Sequence, residues 1–178
     1  MRKIPYAKVI CDGNELAYVR KVLESGWLTT AGFAHEFEKR FASAVDAPHA
    51  CAVNSCTAAL HLALEALGIG PGDEVLVPTM TFTASAEVIR YLGATPVLLD
   101  VEAGTCLLSR DIVASGLDRH PAAKAVIVVH FAGQAARMLG ANGILAECRR
   151  RGVRVVEDAA HAFPARDQGR MEIGRAHV

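Results

Sequence analysis

The chain lacks most of the features that mark specialised classes of protein. Its five cysteines, Cys11, Cys51, Cys56, Cys106 and Cys148, are odd in number, and no two are separated by only two residues. This usage argues against a disulfide framework and a zinc knuckle, so no metal site is expected and a reducing cytoplasm fits best. Neither sign of charge is in excess, since 19 basic residues balance 19 acidic ones. Such a surface gives nucleic acid and anionic membranes no electrostatic reason to bind. No apolar run is long enough to span a bilayer. Met1 to Ile10 also lack the apolar centre of a secretion signal. No Gly-x-Gly-x-x-Gly turn follows the first predicted strand, which ranks a Rossmann-type dinucleotide enzyme lowest. Lysine is scarce too: Lys3, Lys8, Lys21, Lys39 and Lys124 are the full set, and none follows Lys124.

What is present suits a folded domain. The 178 residues are 52% hydrophobic, enough for one domain with a substantial core. Helical spacing runs from Asp12 to Ser25, with Leu16, Val19, Val22 and Leu23 on one side, and resumes from Phe33 to Val45. A loop from Gly26 to Gly32 separates the two; it holds Trp27, the only tryptophan. From His49 onward strands and helices alternate. Strands are predicted at Ala50–Asn54, Glu74–Val77, Pro96–Asp100, Ala125–His130 and Val153–Glu157. Helices are predicted at Thr57–Leu67, Ala84–Leu92, Arg110–Leu117 and Met138–Arg150. Apolar strands joined by helices imply an α/β fold, a mostly parallel sheet with helices on both faces.

Three segments carry chemistry. Ser55, Cys56, Thr57 and Ala58 stand where a strand should turn into a helix, and a helix N-terminus favours a phosphate. An ordinary serine cap explains the same residues. Phe82 leaves the end of the next strand, where a flat ring can stack on a planar heterocycle, or simply pack in the core. Asp158 closes the strand Val153–Glu157, where a carboxylate can hold a cationic ring nitrogen. His161 follows, within reach of a ring hydroxyl if the chain turns; both residues could instead serve as a cap and a core histidine. In open α/β sheets ligands sit outside the carboxyl ends of the strands. An acid for a ring nitrogen and a helix N-terminus for a phosphate together point to pyridoxal phosphate.

The segments Ser25-Gly26-Trp27-Leu28-Thr29-Thr30, Ser55-Cys56-Thr57-Ala58-Ala59-Leu60-His61, Gly70-Pro71-Gly72-Asp73-Glu74-Val75, Val129-His130-Phe131-Ala132-Gly133-Gln134 and Glu157-Asp158-Ala159-Ala160-His161-Ala162 occur in one order. In them the chain resembles the nucleotide-sugar aminotransferases of the DegT/DnrJ/StrS type, within the fold type I pyridoxal phosphate enzymes. The resemblance runs from Ile4 to about Arg170. It implies that Thr57 and Ala58 bind the cofactor phosphate, to which the Ser55 hydroxyl can add a hydrogen bond, that Phe82 stacks on the ring, that Asp158 pairs with its nitrogen and that His161 lies near its hydroxyl. It also implies a nucleotide-sugar substrate, an amino donor and a homodimer, with the Trp27–Gly32 loop as a candidate contact. Cys56 stands where a smaller residue is usual and reads as packing, not as a nucleophile.

The resemblance further implies parts that this chain does not carry: the Schiff-base lysine and a small C-terminal domain. The expected organisation is a helical segment with the Trp loop over 1–48 and a partial cofactor-binding domain over 49–171. Residues 172–178 are expected to be a non-native tail, because they depart from the family and match one reading frame of a common sequencing adapter. The chain is thus read as a fragment, inactive by itself and prone to aggregate through uncovered edges. The alternatives are a sugar dehydratase of the same fold and a non-catalytic cofactor-binding or regulatory fragment.

Overall fold

Runs of Val, Ile and Leu need a sheet covered on both sides to bury them, and that is how the chain is arranged. The computed structural model describes residues 9–166 and the backbone of residues 176 and 177. The helices are α1 (Glu15–Glu24), α2 (Gly32–Ala44), α3 (Cys56–Ala66), α4 (Ala84–Tyr91), α5 (Arg110–Arg119) and α6 (Ile144–Arg151). The strands are β1 (Glu74–Pro78), β2 (Thr95–Leu99), β3 (Ala123–Val129), β4 (Arg154–Asp158) and the short β5 (Ala176–His177). The sheet order is β2-β1-β3-β4-β5, parallel through β4, with β5 antiparallel at the edge.

Alternation along the strands divides the core in two. Val75, Val77, Ile127 and Val156 face Leu60 and Leu64 of α3 and Val88 and Ile89 of α4. Leu76, Val126, Val128 and Val155 face Val113 and Leu117 of α5 and Ile144, Leu145 and Cys148 of α6. Gly116 lets α5 approach β2, since a Cβ there would lie 2.8 Å from Leu99 Cδ2. Glu147 of α6 is buried in an arginine cluster. Arg150 Nη2 and Arg151 Nε each donate to its Oε1 at 2.6 Å, and Arg151 also holds Asp118 of α5 at 2.7 Å.

The structure departs from the sequence reading in two predicted elements. Residues 50–54 are not a strand; Cys51, Ala52, Val53 and Asn54 are exposed. A strand exists only beside a partner that pairs its backbone groups, and no described strand lies next to this segment. The last helix starts at Ile144 rather than Met138, because residues 140–143 form a turn. Gly143 is required there: a Cβ would collide with the Met138 and Leu139 carbonyl oxygens. The apolar stripes of the first two helices do not enter the core. No residue of α1 is buried, and in α2 only Ala42 is. Leu16 is 80% exposed and Phe37 57%. Amphipathic spacing gives a helix an apolar face but not a surface to cover it. Most of the expected tail over 172–178 lies outside the described residues.

Candidate active site

Asp158 ends β4 and is 6% exposed. Three donors converge on it. Ser85 Oγ donates to Oδ2 at 2.8 Å, the Ala160 N–H to Oδ1 at 3.2 Å, and Cys56 Sγ to Oδ1 at 3.6 Å. The Ala160 bond is a local turn closed by the side chain itself, and the chain continues as a turn over 160–164, not as a helix. Asp158 therefore does not cap a helix.

These contacts bring the amino end of α3 to the carboxylate, because Cys56 is the first residue of that helix. Ser55 is the N-cap, its Oγ accepting the Ala58 N–H at 3.1 Å. Thr57 and Ala58 are half-buried in the first turn. A helix start leaves its first N–H groups without intrahelical partners, so this end carries partial positive charge. Burial, and then the charge of Asp158, push the Cys56 thiol up to about 11. A thiol held that high is not a nucleophile at neutral pH, in keeping with its reading as a packing residue.

Phe82 and His161 also lie beyond the carboxyl ends of strands, after β1 and β4. Phe82 is 75% exposed in the loop between β1 and α4, so it is not a core phenylalanine. Its neighbour Thr81 lies 2.7 Å, Oγ1 to Oγ, from Ser85, which in turn holds Asp158. His161 is exposed in the turn after β4, its ring tilted against Phe131 with centroids 6.4 Å apart.

The donor set suits a protonated pyridine bearing a phosphate. An ionised carboxylate offers about four acceptor positions; Ser85, Ala160 and Cys56 occupy three, which leaves one for a ring N–H. The positive end of α3 adjoins that carboxylate at the distance of a single side chain, so a small ligand can touch both. Lys124 is not available for covalent capture. It lies at the start of β3, the end opposite Asp158, and its Nζ is 2.7 Å from Asp73 Oδ1.

Two groups near the site escaped the reading of the sequence. Ser85 is fully buried in α4 and looked like any helix serine. His130 and Glu157 form a buried pair on the other face, Nε2 to Oε2 at 2.7 Å. The Ala136 N–H donates to His130 Nδ1 at 3.0 Å. That nitrogen must then carry a lone pair, so the ring proton sits on Nε2 and points at Glu157. The sequence signal was present but only in part: both residues lie in segments that matched the family, yet only strand pairing shows that they meet.

Comparison with known proteins bears on the fold and the family. The spore coat polysaccharide biosynthesis protein SpsC of Bacillus subtilis (strain 168) is 46% identical over 168 residues, which are 94% of this chain and 42% of that protein. The crystal structure of 3-amino-5-hydroxybenzoic acid (AHBA) synthase superposes with a TM-score of 0.83 at 37% identity, covering 95% of this chain and 43% of that one. The PLP form of Spr1654 from Streptococcus pneumoniae, described as a putative sugar aminotransferase, gives 0.82 at 31% identity, covering 96% and 47%. The chain thus spans less than half the length of these relatives. The sequence model of the DegT/DnrJ/EryC1/StrS aminotransferase family matches residues 10–177, and the chain belongs to that family.

Proposed function

We propose that this chain forms the cofactor-holding part of a pyridoxal phosphate-dependent aminotransferase that moves an amino group from an amino donor to a keto-sugar nucleotide. The observation that carries the reading is the buried Asp158 carboxylate at the end of β4, with the amino end of α3 against it. Asp158 would accept the ring N–H and keep that nitrogen protonated. The first turn of α3, with Thr57 and Ala58 and the Ser55 cap, would hold the phosphate. Phe82 would cover one ring face, and His161 would lie near the ring hydroxyl. Pyridoxal phosphate, when bound, supplies an electron sink for the substrate's bonding electrons. Asp158 keeps that sink effective by holding the proton at the ring nitrogen, and burial removes competing water.

The chain as it stands is proposed to bind the cofactor without covalent capture and to have no transaminase activity. Covalent capture needs a lysine amine positioned by the site, and Lys124 is engaged with Asp73 at the wrong end of β3. The whole enzyme is proposed to be a cytoplasmic homodimer, with the 59% exposed Trp27 in a contact loop. Among the described residues no helix is long and apolar enough to cross a membrane. The test is to incubate the protein with pyridoxal phosphate, reduce with borohydride and map adducts by mass spectrometry. Scattered labelling of less than one adduct per chain is expected. A stoichiometric adduct on one lysine, with turnover of a keto-sugar nucleotide, would overturn the claim for this chain.

A further inference from the structure

We infer that Ser85 is a positioning residue that acts through Asp158, and that the Thr81–Ser85 hydroxyl pair fixes the ring-stacking loop relative to the ring acid. The inference rests on the cofactor reading given above. Ser85 is fully buried in the first turn of α4, and its Oγ is 2.8 Å from Asp158 Oδ2. A serine hydroxyl has one proton, and a carboxylate can only accept, so that proton goes to Asp158. The 2.7 Å bond between Thr81 and Ser85 then has a fixed direction: Thr81 donates and Ser85 accepts. Two hydroxyls in series, each used as donor once, join the loop that carries Phe82 to the carboxylate. The other Asp158 oxygen is held by the Ala160 N–H and the Cys56 thiol. With both oxygens held, the carboxylate cannot rotate away from the one acceptor position left for a ligand. Removing Ser85's hydroxyl frees Oδ2 and cuts the link to the Phe82 loop at once.

The test uses pyridoxamine 5′-phosphate, which carries the ring nitrogen and the phosphate but needs no lysine. Its dissociation constant is measured by equilibrium titration for wild type, Ser85→Ala, Asp158→Ala and the double variant, with thermal melting of each. Ser85→Ala is expected to weaken binding about 5- to 10-fold, the scale of one hydrogen bond to a charged group. In the Asp158→Ala background the same change is expected to alter affinity by less than about twofold, because the residue it acts through is gone. Ser85→Thr, which keeps the hydroxyl, should bind within about threefold of wild type. Should Ser85→Ala fold poorly, Ser85→Cys takes its place, since it keeps the shape and supplies only a weak donor. Equal losses in both backgrounds would overturn the inference and leave Ser85 a structural residue. Unchanged affinity in a folded Ser85→Ala would overturn it as well. If Asp158→Ala binds as tightly as wild type, or wild type does not bind, the cofactor reading itself falls and takes this inference with it.

Discussion

At the end of β4 the two faces of the sheet can be compared within two residues. Glu157 points toward the side covered by α5 and α6, and Asp158 toward the side covered by α3 and α4. Both are acidic and both are buried. Glu157 meets the fully buried His130, whose other nitrogen is bonded to the backbone of Ala136. Asp158 is held by a hydroxyl, a thiol and a local N–H, and lies beside the open amino end of α3. The difference lies in what surrounds each group, not in the group itself. On one face a carboxylate closes a structural pair. On the other, three donors leave one acceptor position, which the proposed function assigns to a ligand. Strand alternation alone separates them, and a slip of one residue would exchange their places.

Matched amide substitutions are the sharpest way to break this comparison. In the whole enzyme, Asp158→Asn is expected to lower transamination by about 100-fold or more, the scale for losing a preorganised electrostatic partner. The melting temperature should move little, since an amide still fits among the three donors. Near-normal turnover would show that Asp158 only shapes the turn after β4. Glu157→Gln is expected to behave in the opposite way. It replaces the carboxylate that accepts the His130 proton by a neutral amide, whose oxygen accepts more weakly, at a cost of about 1–2 kcal/mol. For a domain of this size that is a fall of several degrees in Tm, with pyridoxamine phosphate affinity unchanged. Loss of affinity without loss of stability in Glu157→Gln would place both carboxylates in the site.

Asp158 could be read from the sequence because a carboxylate at the end of an apolar strand has a general meaning in open α/β sheets. Glu157 and His130 could not, because their meeting depends on the pairing of Val128 with Glu157 in neighbouring strands. Ser85 was illegible for a related reason: a serine in the first turn of a helix is common, and its bond to Asp158 spans 73 residues of chain. The fold class and four of the five predicted strands were legible from hydrophobic period and turn residues. The strand at 50–54 was not, since its apolar residues satisfy local propensity while no described partner pairs with them. Helices α1 and α2 show the same limit, with a correct period and apolar faces that stay largely exposed among the described residues.

Titration sharpens the comparison from the structural side. Hydrogen bonds from Arg150 and then Arg151 hold the Glu147 carboxyl well below the ordinary range, at about 2. A carboxyl depressed in the folded state adds stability above its unfolded value and loses it as pH falls through the folded one. The contribution should therefore be complete above about pH 5 and lost progressively toward about pH 2. Urea midpoints at pH 6 and pH 3 check this. Wild type should be more stable than Glu147→Gln at pH 6, and the gap should narrow at pH 3. A gap that does not change with pH would show that Glu147 acts by packing rather than by charge. Ligand affinity on the opposite face should be the same in both proteins at pH 6.

The smallest expected effect lies at Cys56, where the site face can be adjusted without disturbing the other. Its thiol, pushed up to about 11, stays protonated at pH 8 and shares Asp158 Oδ1 with the Ala160 N–H. All three of Cys11, Cys51 and Cys56 are exposed, and the protonated Cys56 should react with iodoacetamide far more slowly than the other two. A thiol is a weak donor, so Cys56→Ala should change pyridoxamine phosphate affinity by no more than about twofold, and in the favourable direction if an acceptor position is freed. Cys56→Ser supplies a stronger donor to the same oxygen, which competes with the ring N–H and should weaken binding by about two- to threefold. The expected order of affinity is therefore alanine, cysteine, serine. If alanine binds tenfold worse than cysteine, the thiol holds the carboxylate in place instead of competing for it. Asp158 would then need all three of its present donors to be ready for a ligand.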